Sequence, residues 1–198
     1  MTKKVIYKRL RLLCCLSVLI TLWNCKSKDI TASEKYADNL TTLKILQEKE
    51  IYNIEIDVAY PFVKAATQQV ANTLFLSRTG NTANRIDVRG DGYFINIVKD
   101  SVKGDLSFMG ERRLSGGTYG MNRGIAFEGV PKNLEKSIDK KNNKLEIKFS
   151  INQNGEPSEK YDVRLLIFPN NKAEVEITST FKTFMRYSGT LQLVDEFQ

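Results

Sequence analysis

The chain has 198 residues, 30 lysines and arginines against 23 acids, and a formal charge of +7, but five of the cations (Lys3, Lys4, Lys8, Arg9 and Arg11) precede Cys25, and without them the balance is +2. That small excess excludes the basic stripe that nucleic-acid binding requires, so no nucleic-acid partner is expected. Histidine is absent, which excludes a Ser-His-Asp triad and a Cys-His dyad and removes a usual zinc ligand.

Residues 1–24 read as a signal peptide. Residues 1–11 form a basic n-region, and Leu12 to Trp23 form an apolar run of h-region length. The run is well short of the roughly 20 residues that a spanning helix needs, so a transmembrane anchor is the weaker reading. Leu22-Trp23-Asn24-Cys25 resembles a bacterial lipobox, with Trp23 and Asn24 where small residues are usual. The resemblance implies that Cys25 becomes the mature N-terminus and carries lipid on its sulfur and amine. Each buried methylene contributes about 0.8 kcal/mol, so several acyl chains anchor a protein permanently. Lys26, where an acid would signal inner-membrane retention, points to the outer membrane, facing the periplasm or the cell surface. Cys14, Cys15 and Cys25 are the three cysteines, so the sequence beyond them depends on burial and hydrogen bonding instead of disulfides.

Residues 25–30 are a polar tether, of which 26–30 reach about 17 Å when extended. Thr31 and Glu34 fit a capping box, and Tyr36, Leu40, Leu43 and Leu46 recur at helical spacing, so a helix is expected over 31–50. The period then falls to two. Ile54, Ile56, Val58 and Tyr60 alternate with Asn53, Glu55, Asp57 and Ala59, up to Pro61. Val63 to Phe75 reads either as helix or as an irregular excursion, followed by a loop over Ser77 to Asn84 and a strand near Arg85 to Arg89. Further strands are expected at Tyr93–Val98, at Ser101–Phe108 after a turn at Lys99-Asp100, at Gly124–Val130, around Leu145–Ile151, around Tyr161–Ile167, around Val175–Ile177 and over Tyr187–Leu193. Pro169-Asn170-Asn171 is a hairpin turn, since asparagine tolerates positive φ. Residues 51–198 are thus one mainly β domain with alternating polar and apolar faces, an antiparallel barrel or sandwich.

Four segments resemble the family known as domain of unknown function 4251. They are Asp100-Ser-Val-Lys-Gly-Asp-Leu-Ser-Phe-Met-Gly110, Gly124-Ile-Ala-Phe-Glu-Gly129, Phe168-Pro-Asn-Asn-Lys-Ala173 and Tyr187-Ser-Gly189. Order and spacing agree over roughly residues 50–194. The departures are Ser107 for Pro, Phe108 for Tyr, Met109 for Phe and Asn171 for Gly. The resemblance implies an envelope lipoprotein or secreted protein with a lipocalin-like antiparallel barrel or half-barrel, a sandwich being the alternative. It implies no catalytic residues and no cofactor.

The glycine-rich segment 110–123 holds Arg112, Arg113, Tyr119 and Arg123, which read as an anion- or sugar-binding cluster, since Arg forks match carboxylate and phosphate, or as a solvated loop. Asp100-Ser101-Val102 resembles an O-glycosylation acceptor at Ser101 and fits a hairpin turn equally well. Asp87, Asp91, Asp105 and Glu128 are the acids from which a carboxylate-based hydrolase would draw its pair. Gly90-Asp-Gly92 and Ser115-Gly-Gly117 lack the Lys-Ser/Thr of a phosphate loop, and no oxygen-rich calcium loop appears, so no metal is expected. The function expected is a non-enzymatic envelope lipoprotein that binds a small ligand or an envelope protein and reaches the membrane through its lipid anchor. A structural component of an envelope complex is the alternative.

Overall fold

The structure is a computed structural model that describes residues 32–62, 64, 81–112 and 124–192. The expected signal peptide, the tether, Cys25, Thr31 and most of the segment 63–80 lie outside these residues. The chain divides into two compact units, Met1–Asp38 and Asn39–Gln198. Of the first, only the opening turns of a helix are described; the second holds the sheet.

One α-helix, α1 (Ala32–Glu48), is followed by ten strands: β1 (Ile51–Pro61), β2 (Ile86–Asp87), β3 (Phe94–Val98), β4 (Ser101–Leu106), β5 (Ile125–Gly129), β6 (Lys132–Asp139), β7 (Lys144–Gln153), β8 (Glu156–Ile167), β9 (Lys172–Ser179) and β10 (Met185–Gln192). Nine form one antiparallel sheet in the order β5-β4-β3-β1-β10-β9-β8-β7-β6, and β2 pairs with β1 beside this path. The expected mainly β domain is therefore present, but its sheet is not closed into a barrel. The edge strands β5 and β6 are joined by Val130 and Pro131, yet share no ladder among the described residues. Gly129 sits at φ 138° and Pro131 has no N–H to offer, so the chain turns out of β5 without continuing the pairing. No helix of the described residues is long and apolar enough to cross a membrane.

The period-2 pattern sets which face is buried. Ile54, Ile56, Ile95, Ile97, Val102, Leu145, Ile147, Leu165, Val175, Ile177 and Tyr187 all point into one continuous core. The sheet folds this face over onto itself: Phe127 on β5 meets Phe149 on β7 edge-on, with ring centroids 6.0 Å apart, and also contacts Tyr161 on β8. Phe127 lies over Gly104, where an added Cβ would fall 2.4 Å from the ring. The core face is filled by side chains.

The expected helix closes one end of the core through Leu43 and Leu46, both buried, whereas Tyr36 is 41% exposed. Two neighbours fix its C-terminus. The Tyr52 hydroxyl donates to Leu46 O at 2.6 Å, and burial pushes that phenol up to about 12. Lys136 Nζ donates to Lys49 O at 2.8 Å while lying 4.7 Å from the Tyr52 ring centre. A cation at the last carbonyls of a helix satisfies acceptors that have no partner within the helix.

β6 is the strand that the sequence reading misses. Its segment, Lys132–Asp139, holds only two apolar residues, Leu134 and Ile138, with Lys136 between them on the same face. An inward-pointing lysine on an edge strand resists edge-to-edge pairing, and the same lysine removes the alternation by which a strand is recognised. β8 begins at Glu156, five residues before the expected strand.

Midway along β1 the pairing with β10 shifts between Ile56 and Val58. Gly189 lies opposite, and a Cβ there would fall 2.1 Å from the Glu55 carbonyl oxygen. Gly189→Ala should therefore force β10 away from β1 and cost about 1–3 kcal/mol, as overpacking does, with a lower urea midpoint at unchanged slope. A midpoint within error of the parent would show that the bulge absorbs the methyl.

Candidate functional site

At the end of the sheet away from Leu43 and Leu46, the core turns polar. Tyr161 on β8 pairs in register with Ser179 at the end of β9, and the chain then turns through Phe181 and Lys182 into β10. Lys182 is only 1% exposed and Glu159 is fully buried. Lys182 Nζ donates to Glu159 Oε2 at 2.7 Å and to the Tyr161 hydroxyl at 2.6 Å. Tyr161 in turn donates to Gln153 Oε1, which also accepts from Ala126 N at 3.2 Å and so ties β5 to β7. Ser179 Oγ donates to Glu159 Oε1 at 2.8 Å and accepts from Lys182 N at 3.1 Å. Burial lowers the affinity of Lys182 for its proton, against the pull of Glu159. Burial, reinforced by the negative field of Glu159, raises the Tyr161 phenol so that it stays neutral. Each buried charge has an opposite partner and hydrogen bonds, the condition under which such charges are tolerated.

Arg112, from the cluster expected to bind anions, belongs to this network. Its Nη2 lies 3.6 Å from Glu156 and 3.7 Å from Glu159, and its backbone bridges to Lys182. It is neutralised by the protein's own acids. Arg113, Tyr119 and Arg123 lie outside the described residues. Ser101 opens β4 at an exposed hairpin position, its hydroxyl 3.5 Å from Gly129 O. Of the four acids considered for hydrolysis, Asp87 is bound by the Arg89 side chain, which pulls its carboxyl down to about 2. Glu128 pairs with Lys103 at 2.9 Å and is over half exposed. Asp105 and Asp91 are exposed. The structure instead brings Glu156 and Glu159 to one guanidinium, that of Arg112, as it brings Glu146 and Glu176 to Arg164. Among the described residues no group of three potential metal ligands converges.

The outer face of the sheet carries a second arrangement. Glu135, Lys148, Arg164, Glu176, Arg186 and Tyr60 stand opposite one another in register across six neighbouring strands, β6 to β1. Arg164 donates to both Glu146 and Glu176, and Lys148 pairs with Glu146 at 2.9 Å. Arg186 has no carboxylate within 4.0 Å among the described residues; its guanidinium lies 4.8 Å from the Tyr60 ring centre. Beside it is a groove of about 600 Å³ lined by Tyr60, Pro61, Phe62, Thr82, Asn84, Arg85, Glu176, Phe184 and Arg186. The turn Thr82–Arg85 is closed by reciprocal main-chain bonds of 2.9 and 3.1 Å, and Asp87 N donates to Asn81 Oδ1 at 2.9 Å. Arg85 is thus held at the rim, and its guanidinium too has no carboxylate partner within 4.0 Å among the described residues. Phe62 is 62% exposed, and its N–H donates to Phe184 O at 3.3 Å.

A family model described as "Domain of unknown function (DUF4251)" matches residues 34–191. The chain belongs to this family. The match to DUF4251 also takes in most of α1, consistent with Leu43 and Leu46 sharing the sheet's core. No curated protein matches the chain, and no solved structure does. The segments that carry the DUF4251 resemblance have structural reasons. Ile125 and Phe127 are core, and Asn171 takes the φ of 60° that a hairpin glycine would. Tyr187 is buried with its hydroxyl on Ser107 O at 2.6 Å, and Gly189 clears Glu55.

Lys182 and Glu159 escape sequence reading because a Thr-Phe-Lys and a Ser-Glu-Lys look solvated. Lys182→Ala, which leaves buried Glu159 with only the more distant Arg112 guanidinium at 3.7 Å, should cost about 3–5 kcal/mol in urea unfolding. Lys182→Met combined with Glu159→Leu should recover most of that loss. If the double variant is no more stable than the single, the pair itself supplies net stability.

Proposed function

We propose that this protein is a non-enzymatic, ligand-binding lipoprotein of the cell envelope. Its β domain is read as a half-barrel, anchored through Cys25 to the outer membrane on its periplasmic or surface side. The described core face is packed with buried side chains, and the described grooves lie on the outer face. One observation carries the reading. Arg85 and Arg186, neither with a carboxylate partner within 4.0 Å among the described residues, line one groove together with Tyr60, Phe62 and Phe184. The other arginines among the described residues, Arg89, Arg112 and Arg164, each lie within 4.0 Å of a carboxylate. Planar forks beside aromatic faces suit an organic carboxylate or phosphate with a ring or apolar body.

Isothermal titration of the full chain in detergent with glucuronate, glucose and inorganic phosphate tests this. Glucuronate should bind and glucose should not. Arg186→Ala or Arg85→Ala should weaken glucuronate at least tenfold, the effect of losing a charge-assisted hydrogen bond. Both variants lie on exposed positions and should keep the parent melting temperature. Glucuronate affinity unmoved by both substitutions removes this groove as the site.

The anchor has its own measurement. Intact-mass analysis of the membrane-extracted protein should find an N-terminus at Cys25 bearing acyl chains, and Cys25→Ser should move the protein to the soluble fraction. An unmodified N-terminus at another residue defeats the anchor.

A further inference from the structure

The ligand class can be narrowed, on the reading that the Arg85–Arg186 groove is a binding site. That groove does not end at Glu176 and Phe184. Both residues also line a second groove of about 370 Å³, with Asn133, Glu135, Lys148, Ser150, Asp162, Arg164 and Thr178 among its walls. Together the two cross the outer face from β1 to β6, a span of about 24 Å at the usual strand spacing.

We propose that this path holds an acidic oligosaccharide, with its carboxylate between Arg85 and Arg186 and its neutral sugars running across β9 and β8 past Phe184. Three features select this class. First, the path runs across the strands of the sheet, whose main-chain groups between β1 and β7 are already paired in ladders. A peptide laid there finds no backbone partners, so strand addition, which relies on main-chain bonds at an edge, is excluded. Recognition must come through side chains. Second, the second groove sets polar side chains (Asn133, Thr178, and Ser150 already donating to Asp162 at 2.6 Å) beside apolar surface that includes Phe184, a mixture that matches the hydroxyls and apolar ring faces of sugars. Third, along this path the cations without a carboxylate within 4.0 Å among the described residues are Arg85 and Arg186, both at one end. Arg164 and Lys148 are held by Glu146 and Glu176. A polyanion with a charge on every unit finds only one of its charges matched, whereas a chain with one terminal acid is matched once.

Titration of the full chain separates the possibilities. The probes are glucuronate, a tetrasaccharide of neutral hexoses ending in glucuronate, the same tetrasaccharide with its carboxyl reduced, and an acidic tetrapeptide. The acidic tetrasaccharide should bind at least tenfold tighter than glucuronate, and the reduced form should lose most of that affinity. Thr178→Trp, an exposed position in the second groove only, should bring the tetrasaccharide down to the level of glucuronate and leave glucuronate itself unchanged. A tetrasaccharide no tighter than glucuronate, or a Thr178→Trp variant that binds it as the parent does, overturns the glycan path while leaving the anion site standing. A tetrapeptide that outbinds the tetrasaccharide overturns it in favour of a peptide ligand. Glucuronate binding that ignores Arg85 and Arg186 removes the anion site itself.

Discussion

A sheet with one apolar face must cover that face, and here the covering surface is the sheet's own far strands. Phe127 reaches from β5 to Phe149 and Tyr161, and the remaining gap is filled from one end by Leu43 and Leu46. The rest of the architecture follows from this folding-over. The domain has no disulfide to draw on after Cys25, so its stability rests on keeping water out of one continuous apolar layer. Gly104 makes room for the Phe127 ring and Gly189 for the Glu55 carbonyl. Lys136 caps α1 while keeping the edge strand β6 from acquiring a neighbour.

Because the covering is done from within, the two sides of the sheet have different duties. The inner side is spent on packing. The outer side is free to carry charge; in its row of six in-register residues Arg164 is matched across neighbouring strands by Glu146 and Glu176, and Lys148 by Glu146 on its own strand. Cross-strand pairs of this kind contribute only a few tenths of a kcal/mol each when solvated. The arrangement is informative less for its energy than for where it breaks. It breaks at Arg186, which turns from Glu176 toward the Tyr60 ring, and at Arg85, which a closed four-residue turn holds at the same groove.

Most of the sheet was legible in the sequence because burial on one face leaves a period of two. β1, β3, β4, β7, β9 and β10 all show it, and the Asn171 turn announced itself by residue type. What was not legible has physical causes. β6 replaces one inward apolar residue with Lys136, so its pattern is broken where the structure needs an edge. The open seam between β5 and β6 depends on how a ten-stranded sheet twists and on Pro131, neither of which a local pattern reveals. The site was less legible still. Arg112 stood out because it lies beside another arginine in a glycine-rich stretch, yet Glu156 and Glu159 claim it. Arg85 and Arg186 sit a hundred residues apart in unremarked surroundings, and only the β1–β10 and β1–β2 pairings bring them to one groove.

The contrast between these two clusters decides how the molecule is read. Lys182, Tyr161 and Glu159 are the kinds of groups that acid–base chemistry uses, but a working acid or base must reach a substrate and hold a pKa near ambient pH. Tyr161 is driven the other way, toward a neutral phenol, by burial and by the negative charge beside it. Its proton is committed to Gln153, and both carboxylate oxygens of Glu159 are taken by Lys182 and Ser179. Every bond in that cluster points inward and links β5, β7, β8 and β9 to one another, which is the work of a fastening. Arg85 and Arg186 show the reverse pattern: exposed, on backbone held by a closed turn and by the β1–β10 ladder, and without carboxylate partners among the described residues. Charges that fold a protein find their partners within it. Those that the fold positions and leaves unmatched are, on the proposed reading, the ones offered to a ligand.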